Sequence, residues 1–136
     1  MGLTLTTHDT GFADPDPRTI AKVLAALDGG RHVLATLGGS ELTYVQASGS
    51  VQAGFDLEYQ EGSLDRHYRS RAAAIPLEQV TEVFQQYARG DESWRHQLEW
   101  EHVPYLPKTV PWFSTWIGYI IVLLIVIALV WIWRGR

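Results

Sequence analysis

The chain has 136 residues, enough for one small domain, and residues 1–107 carry 15 acidic and 8 basic side chains, a net charge of −7. A nucleic-acid-binding surface requires clustered lysine and arginine, so this acidic balance argues against nucleic acid as a partner. The sequence has no cysteine, which excludes disulfides, thiolate nucleophiles and zinc–thiolate sites.

The N-terminal region predicts an edge strand or loose arm followed by a short helix. Residues 1–14 are polar and show no periodicity. Asp16 and Pro17 are typical of a helix start, with aspartate as the N-cap and proline in the first turn. Gly29-Gly30 is expected to end the helix, which needs a second layer to cover its apolar stripe. That stripe is formed by Ile20, Val23, Leu24 and Leu27.

The next forty residues predict four consecutive β-strands. Gly38–Glu41, between the first two, is typical of a hairpin turn. The third strand alternates strictly, with apolar side chains on one face and Asp56 and Glu58 on the other. Tight links predict an antiparallel meander with one face available for helices. The predicted strands are His32–Leu37, Leu42–Gln46, Phe55–Tyr59 and Leu64–Arg71.

A second helix and a last strand complete the predicted domain. The helix begins near Pro76 and ends at Gly90, after which Asp91 is expected to cap a short turn carrying Trp94. Leu98–Val103 again alternates and predicts a strand. These elements predict an α+β domain over residues 1–103, in which an antiparallel sheet forms one layer and helices the other. The apolar stripe of the second helix is Leu77, Val80, Phe84, Tyr87 and Ala88.

The C-terminal segment predicts a single transmembrane helix. A proline-rich connector, residues 104–111, leads into residues 112–133, and the 24 residues from Val110 to Trp133 carry no charge. A helix needs about 20 apolar residues to cross a bilayer. Residues 134–136 form a basic tail. Aromatic and basic side chains expected at the two membrane interfaces are Trp112, Trp116, Tyr119, Trp131, Trp133, Arg134 and Arg136.

The expected location is the bacterial inner membrane, with one span and the domain in the cytoplasm. The first residues show neither the basic region nor the apolar region of an export signal. Moving the short basic tail across the bilayer is a far smaller barrier than exporting the domain. Counting positive charges beside the span gives two on each side and does not decide the orientation.

No sequence pattern predicts catalysis, a metal or a cofactor. None of the five histidines forms an H-x-x-x-H pair, and structural roles explain them better than metal binding. The chain has no G-x-S-x-G elbow for a nucleophile. The glycines at Gly38, Gly39 and Gly49 lack the lysine of a phosphate-binding loop and fit hairpin turns. We therefore expect a binding protein rather than an enzyme.

Aromatic and acidic side chains are the candidates for partner binding. Trp100 favours core packing, whereas Trp94 fits the core and a binding anchor equally well. Four acidic residues are expected on one outer face of the sheet: Asp56, Glu58, Glu61 and Asp65. This face is either simply solvated or complementary to a basic partner, such as a toxin that binds nucleic acid. The partner-binding candidates are Asp56, Glu58, Asp65, Tyr68 and Trp94.

Several segments resemble one family. Residues 17–103 are similar to the Imm1 family of bacterial immunity proteins, and the most specific part is Gly90-Asp91-x-x-Trp94 together with Trp100. The resemblance implies a small α+β domain that neutralises a cognate toxin by direct binding and has no catalytic residue. The segments that carry it are Tyr44–Ala47, Phe55–Gly62, Asp65–Arg69, Leu77–Val80 and Phe84–Trp94.

Two functions are therefore expected. The first is a membrane-anchored module that binds a protein partner as an immunity protein. The alternative is an accessory single-span subunit of a larger membrane complex, because the Imm1-like proteins are mostly soluble and this chain adds a membrane span. The span has Gly118 as its only glycine and lacks a G-x-x-x-G motif, so close helix–helix packing is not strongly encoded.

Overall fold

The computed structural model describes residues 2–106. Residues 107–111 of the connector, the predicted transmembrane helix 112–133 and the tail 134–136 lie outside the described residues. Between residues 2 and 106, no helix is both long enough and apolar enough to cross a membrane. The interfacial candidates that lie outside this range are Trp112, Trp116, Tyr119, Trp131, Trp133, Arg134 and Arg136.

Seven antiparallel strands and two α-helices make up the described domain, in the order β2-β1-β3-β4-β5-β6-β7 across the sheet. The predicted α+β class and antiparallel meander are confirmed. The elements are β1 Thr4–Thr6, β2 Gly11–Ala13, α1 Pro17–Ala25, β3 Leu34–Ser40, β4 Thr43–Ser50, β5 Gly54–Glu61, β6 His67–Ser70, α2 Leu77–Ala88, a 3-10 helix Glu92–His96 and β7 Trp100–His102.

The N-terminal residues are more ordered than the sequence predicts. β1 lies inside the sheet, between β2 and β3, and Leu5 on it is fully buried. The sheet edge is instead β2, which forms a hairpin with β1. A three-residue strand is too short to show a hydrophobic period, so the sequence pattern does not predict β1 and β2 as separate strands.

Helix α1 begins where the sequence predicts and ends earlier than the predicted Gly29-Gly30. Asp16 accepts a hydrogen bond from the Thr19 N–H at 2.7 Å, and Ile20 and Leu24 are fully buried. The helix stops at Ala25, before the glycine pair. The carboxylate of Asp28 accepts hydrogen bonds from the N–H groups of Gly30 and His32, both at 2.9 Å, and these bonds hold the chain in a turn.

The sheet directs alternate side chains to opposite faces. Phe55, Leu57 and Tyr59 of β5 are buried beneath the helices, while Asp56 is exposed, as the alternation predicts. One core cluster contains these residues together with buried side chains of both helices. Strand β6 is shorter than predicted because residues 63–66 form a turn closed by hydrogen bonds.

The β3–β4 hairpin differs from its prediction. Gly38 and Gly39 belong to β3 rather than to the turn, and the register shifts between Gly38 and Ser40. A β-carbon on Gly38 would lie 2.6 Å from the Thr43 carbonyl oxygen and 2.6 Å from the Tyr44 β-carbon. Gly38 is therefore required by the close approach of the neighbouring strand, which is a common role of glycine inside strands.

This close approach predicts that Gly38→Ala destabilises the domain by about 1–3 kcal/mol, as overpacking does in a close-packed interior. Gly39→Ala is the matched control, because its β-carbon would meet only the Leu3 side chain, at 3.7 Å. Urea unfolding of the full chain in mild detergent measures both. Equal stability of the two variants would contradict the steric role of Gly38.

Three exposed aspartates form hydrogen bonds that lower their pKa. The N–H of Thr19 lowers the pKa of Asp16, the N–H of His32 lowers that of Asp28, and the side chain of Ser93 lowers that of Asp91. Because these values lie below the ordinary 3.8 of the unfolded chain, their contribution to stability is complete above that pH. It is lost as the pH falls through the lowered values.

The thermal midpoint of the full chain should therefore fall as the pH is lowered below 3.8, and it should fall less in Asp91→Asn. Asparagine keeps the oxygen that caps the 3-10 helix but does not titrate in this range. Ser93→Ala, which removes the largest cause of the lowered pKa, should act in the same direction. An unchanged pH dependence in both variants would refute the linkage.

Candidate functional site

The candidate site is the face of the sheet opposite the helices, which we call the outer face. No helix or strand within residues 2–106 packs on it, whereas α1 and α2 share one core with the other face. Its side chains alternate with the buried residues of each strand. They are Thr6, Leu34, Thr36, Tyr44, Gln46, Ser48, Asp56, Glu58, Gln60, His67, Arg69 and Glu101.

A row of polar side chains crosses five strands of the outer face. Thr36, Gln46, Glu58, Arg69 and Glu101 are successive cross-strand partners. The Thr36 hydroxyl donates to the Gln46 side-chain oxygen at 3.1 Å, and Arg69 Nε donates to Glu58 Oε1 at 3.0 Å. Such directly opposed pairs hold one another in place.

The same carboxylate of Glu58 has a second neighbour. His67 Nε2 lies 3.0 Å from Glu58 Oε2, and both side chains are about three-quarters buried. Beside this pair, the Tyr44 hydroxyl donates to the Gln60 side-chain oxygen at 3.0 Å, and Gln60 Nε2 donates to the Ser63 carbonyl at 2.9 Å. Burial raises the pKa of Tyr44, and the charge of Glu58 adds to the shift.

An apolar depression of about 450 Å³ adjoins the polar row at the β1–β3 side of the outer face. Val33 and Leu34 lie in it and are 43% and 37% exposed. Thr6 and Thr36 belong to its lining, and the charged Arg31 stands at the same depression. The outer face thus combines a solvated apolar area with a fixed polar surround.

The acidic surface predicted from sequence is divided by the fold. Glu61 faces the helix side, where it pairs with Arg66 at 2.6 Å, and Glu58 is paired on the outer face. Asp56 is exposed on the outer face. Asp65 is exposed in the β5–β6 turn, and its carbonyl lies within hydrogen-bond distance of His102. A continuous acidic patch is therefore absent from the described residues.

Trp94 belongs to the core. It is 1% exposed, and its ring packs edge-on against Tyr59 at 4.9 Å and Trp100 at 5.7 Å. The segment that precedes it explains its position: Gly90, with φ of 72°, ends α2, and Asp91 caps the 3-10 helix. This burial favours core packing over the binding anchor as the role of Trp94. The predicted anchor role is therefore wrong, because the ring is not accessible to a partner.

Tyr68 also faces the helix side. Its ring stacks on Tyr59 at a centroid distance of 4.8 Å and is half-buried. The five predicted partner-binding residues thus occupy three places: Asp56 and Glu58 on the outer face, Asp65 in a turn, and Tyr68 and Trp94 on the helix side. The outer face is the only place in the described chain that brings two of them together at the surface.

Arg95 is a residue that sequence reasoning did not single out. Its guanidinium lies over the rings of Trp94 at 4.6 Å and Tyr59 at 5.2 Å, and it contacts the carboxylates of Glu61 and Glu92. Burial alone would lower the pKa of Arg95, but hydrogen bonds to the two carboxylates raise it overall. Only the Glu92–Arg95 spacing was visible in the sequence, because Glu61 is brought in by the tertiary fold.

Comparison of the chain with protein-family models, with curated proteins and with solved structures finds no match. Within residues 2–106, no group of three or more metal-ligating side chains is arranged to hold an ion. Every buried side-chain nitrogen or oxygen in the same range has a hydrogen-bond partner. The candidate site therefore rests on the geometry of the outer face.

The burial of Trp94 predicts that Trp94→Ala lowers the free energy of unfolding by about 3–5 kcal/mol. Trp100→Ala should have a smaller effect, because Trp100 is only half-buried, although its Nε1 donates to the Arg95 carbonyl at 3.0 Å. Denaturant unfolding of the full chain compares the two variants. A nearly unchanged stability of Trp94→Ala would restore its interpretation as a surface anchor.

Proposed function

We propose that the chain is a membrane-anchored protein-binding module that acts as an immunity protein against a cognate toxin. The observation that carries this proposal is the outer face, which no described helix or strand covers. Several of its polar side chains are already paired across strands, so a partner would meet a surface whose rotamers are partly fixed. Preorganisation of this kind lowers the entropic cost of association.

The composition of the outer face favours a macromolecular partner. Protein interfaces combine an apolar centre with a polar rim, and here Val33 and Leu34 lie beside the row that runs from Thr36 to Glu101. The lining of the depression combines these apolar side chains with the polar side chains of Thr6, Thr36 and Arg31. Such a surface suits the side chains of a folded partner.

Charge favours a basic partner. Residues 1–107 have a net charge of −7, and Asp56 and Glu101 are exposed on the outer face. An acidic domain attracts a basic protein over a long range and accelerates its association. A toxin that itself binds nucleic acid has this character, which agrees with the resemblance of residues 17–103 to the Imm1 family.

The membrane location is part of the same proposal. Residues 112–133 supply the span, and the domain lies on the cytoplasmic side of a bacterial inner membrane. Tethering raises the effective concentration of the module where an incoming toxin emerges.

The second candidate is an accessory subunit of a membrane complex. It is favoured by the apolar ring of Tyr105, which is 50% exposed at the end of the domain. In such a complex, neighbouring subunits would cover it.

Site-specific photocrosslinking tests the proposal on the full chain in its membrane. A photoreactive residue placed at Asp56 or Glu101 should crosslink one basic protein, and the same residue at Glu78 or Glu82 of α2 should not. All four positions are exposed acidic residues, so the controls are matched. Crosslinks to several subunits of one stable assembly would favour the second candidate.

The captured protein is then tested for function. Its toxicity in cells should be suppressed by the full chain, and the double charge reversal Asp56→Arg with Glu101→Arg should weaken binding at least about tenfold, or about 1.4 kcal/mol. The double reversal at Glu78 and Glu82 should leave binding unchanged. A captured protein that is not toxic, or one lost through the α2 variants instead, would overturn the proposal.

A further inference from the structure

A separate groove lies on the helix side of the sheet, between the β1–β2 hairpin and α1. Its volume is about 300 Å³, at the lower end of the range for small-ligand pockets. Phe12 on the hairpin is 37% exposed beside it, although its partner in the register, Leu5, is fully buried. The lining of the groove includes Thr7, Thr10, Lys22, Val23, Leu27 and His32.

The wall of this groove is mainly apolar. Phe12 forms one side, and Val23, Ala26 and Leu27 form the other, along the last turn of α1 and the residues after it. Leu27 is 3% exposed and fixes the base, whereas Ala26 is small and exposed and leaves the space open. An apolar chain laid against these residues would remove them, and itself, from water.

Polar groups are confined to a few places on the lining. Lys22 is exposed and forms no ion pair with a described residue. The hydroxyls of Thr7 and Thr10 lie 2.9 Å apart and satisfy each other. His32 lies near Asp9, with 3.9 Å between Nδ1 and Oδ2. Among the lining residues, all within the described chain, Lys22 is the only lysine or arginine and thus the cation that a ligand would meet.

We propose that this groove binds a medium-chain monocarboxylate, with the aliphatic chain between Phe12 and Val23 and the carboxylate on the Lys22 ammonium. A single available cation beside an apolar wall matches a ligand with one negative charge and one apolar chain. The volume of about 300 Å³ suits a small ligand. Because the groove lies on the helix side, it is distinct from the outer face and does not depend on the function proposed for that face.

The test uses a photoreactive diazirine analogue of octanoate with the full chain in lipid nanodiscs. Peptide mapping should place the label in residues 7–12 and 19–27, with saturation as the probe is raised. Ala26→Phe, which fills the groove, should abolish this labelling. Circular dichroism melting of each variant verifies that the domain remains folded. A label spread over the chain, or unchanged labelling of Ala26→Phe, would overturn the site.

The role of the cation is tested separately. Lys22→Gln should raise the half-saturating octanoate concentration about tenfold, the size expected for loss of one charge-assisted hydrogen bond. Arg89→Gln, an exposed residue at the other helix, is the matched control and should have no effect. The primary amide of the probe should bind weakly and be insensitive to Lys22→Gln. Equal binding of the amide and the carboxylate would refute carboxylate recognition.

Discussion

The packing of three aromatic rings around Tyr59 is the interaction on which the rest of the domain depends. Tyr59 stacks on Tyr68 and meets Trp94 and Trp100 edge-on, so β5, β6, the 3-10 helix and β7 converge at one point. Edge-to-face pairs are favourable beyond the area they bury. The guanidinium of Arg95 closes this cluster over two of the rings. Because the cluster lies beneath the sheet, it leaves the opposite face uncovered within residues 2–106.

Alternation and capping made much of this fold predictable. The period of two in Phe55–Tyr59 assigned the buried and exposed faces of β5, and Asp16-Pro17 located the start of α1. Short strands were harder to predict, since β1 and β2 contain three residues each. β1 pairs with β3, and β2 pairs with β1, so both depend on contacts that the local sequence does not show. The sequence predicted too late an end for α1, because Gly29-Gly30 indicated the end of the helix. The helix ends at Ala25, and the turn after it is held by hydrogen bonds to the Asp28 carboxylate.

The candidate site was only partly predictable, for a related reason. Sequence placed Asp56 and Glu58 on one face, but it had no means of showing that Arg69 and His67 would pair with Glu58 from the next strand. The sequence around Trp94 is compatible with a core residue and with a binding anchor. Only the folded chain shows that the Trp94 ring is buried. Ion pairs and aromatic contacts between distant segments are properties of the register, which a single sequence does not specify.

The edges of the sheet determine whether neighbouring copies of the domain can pair with one another through their strands. Edge strands expose main-chain groups that can template pairing with a foreign strand, and long flat edges are the hazardous ones. Here both edges, β2 and β7, have three residues, whereas the central strands β3, β4 and β5 have seven or eight. The long strands thus lie inside the sheet, and each edge strand offers little length for an additional strand. Crowded copies are thereby protected against polymerising through their sheets.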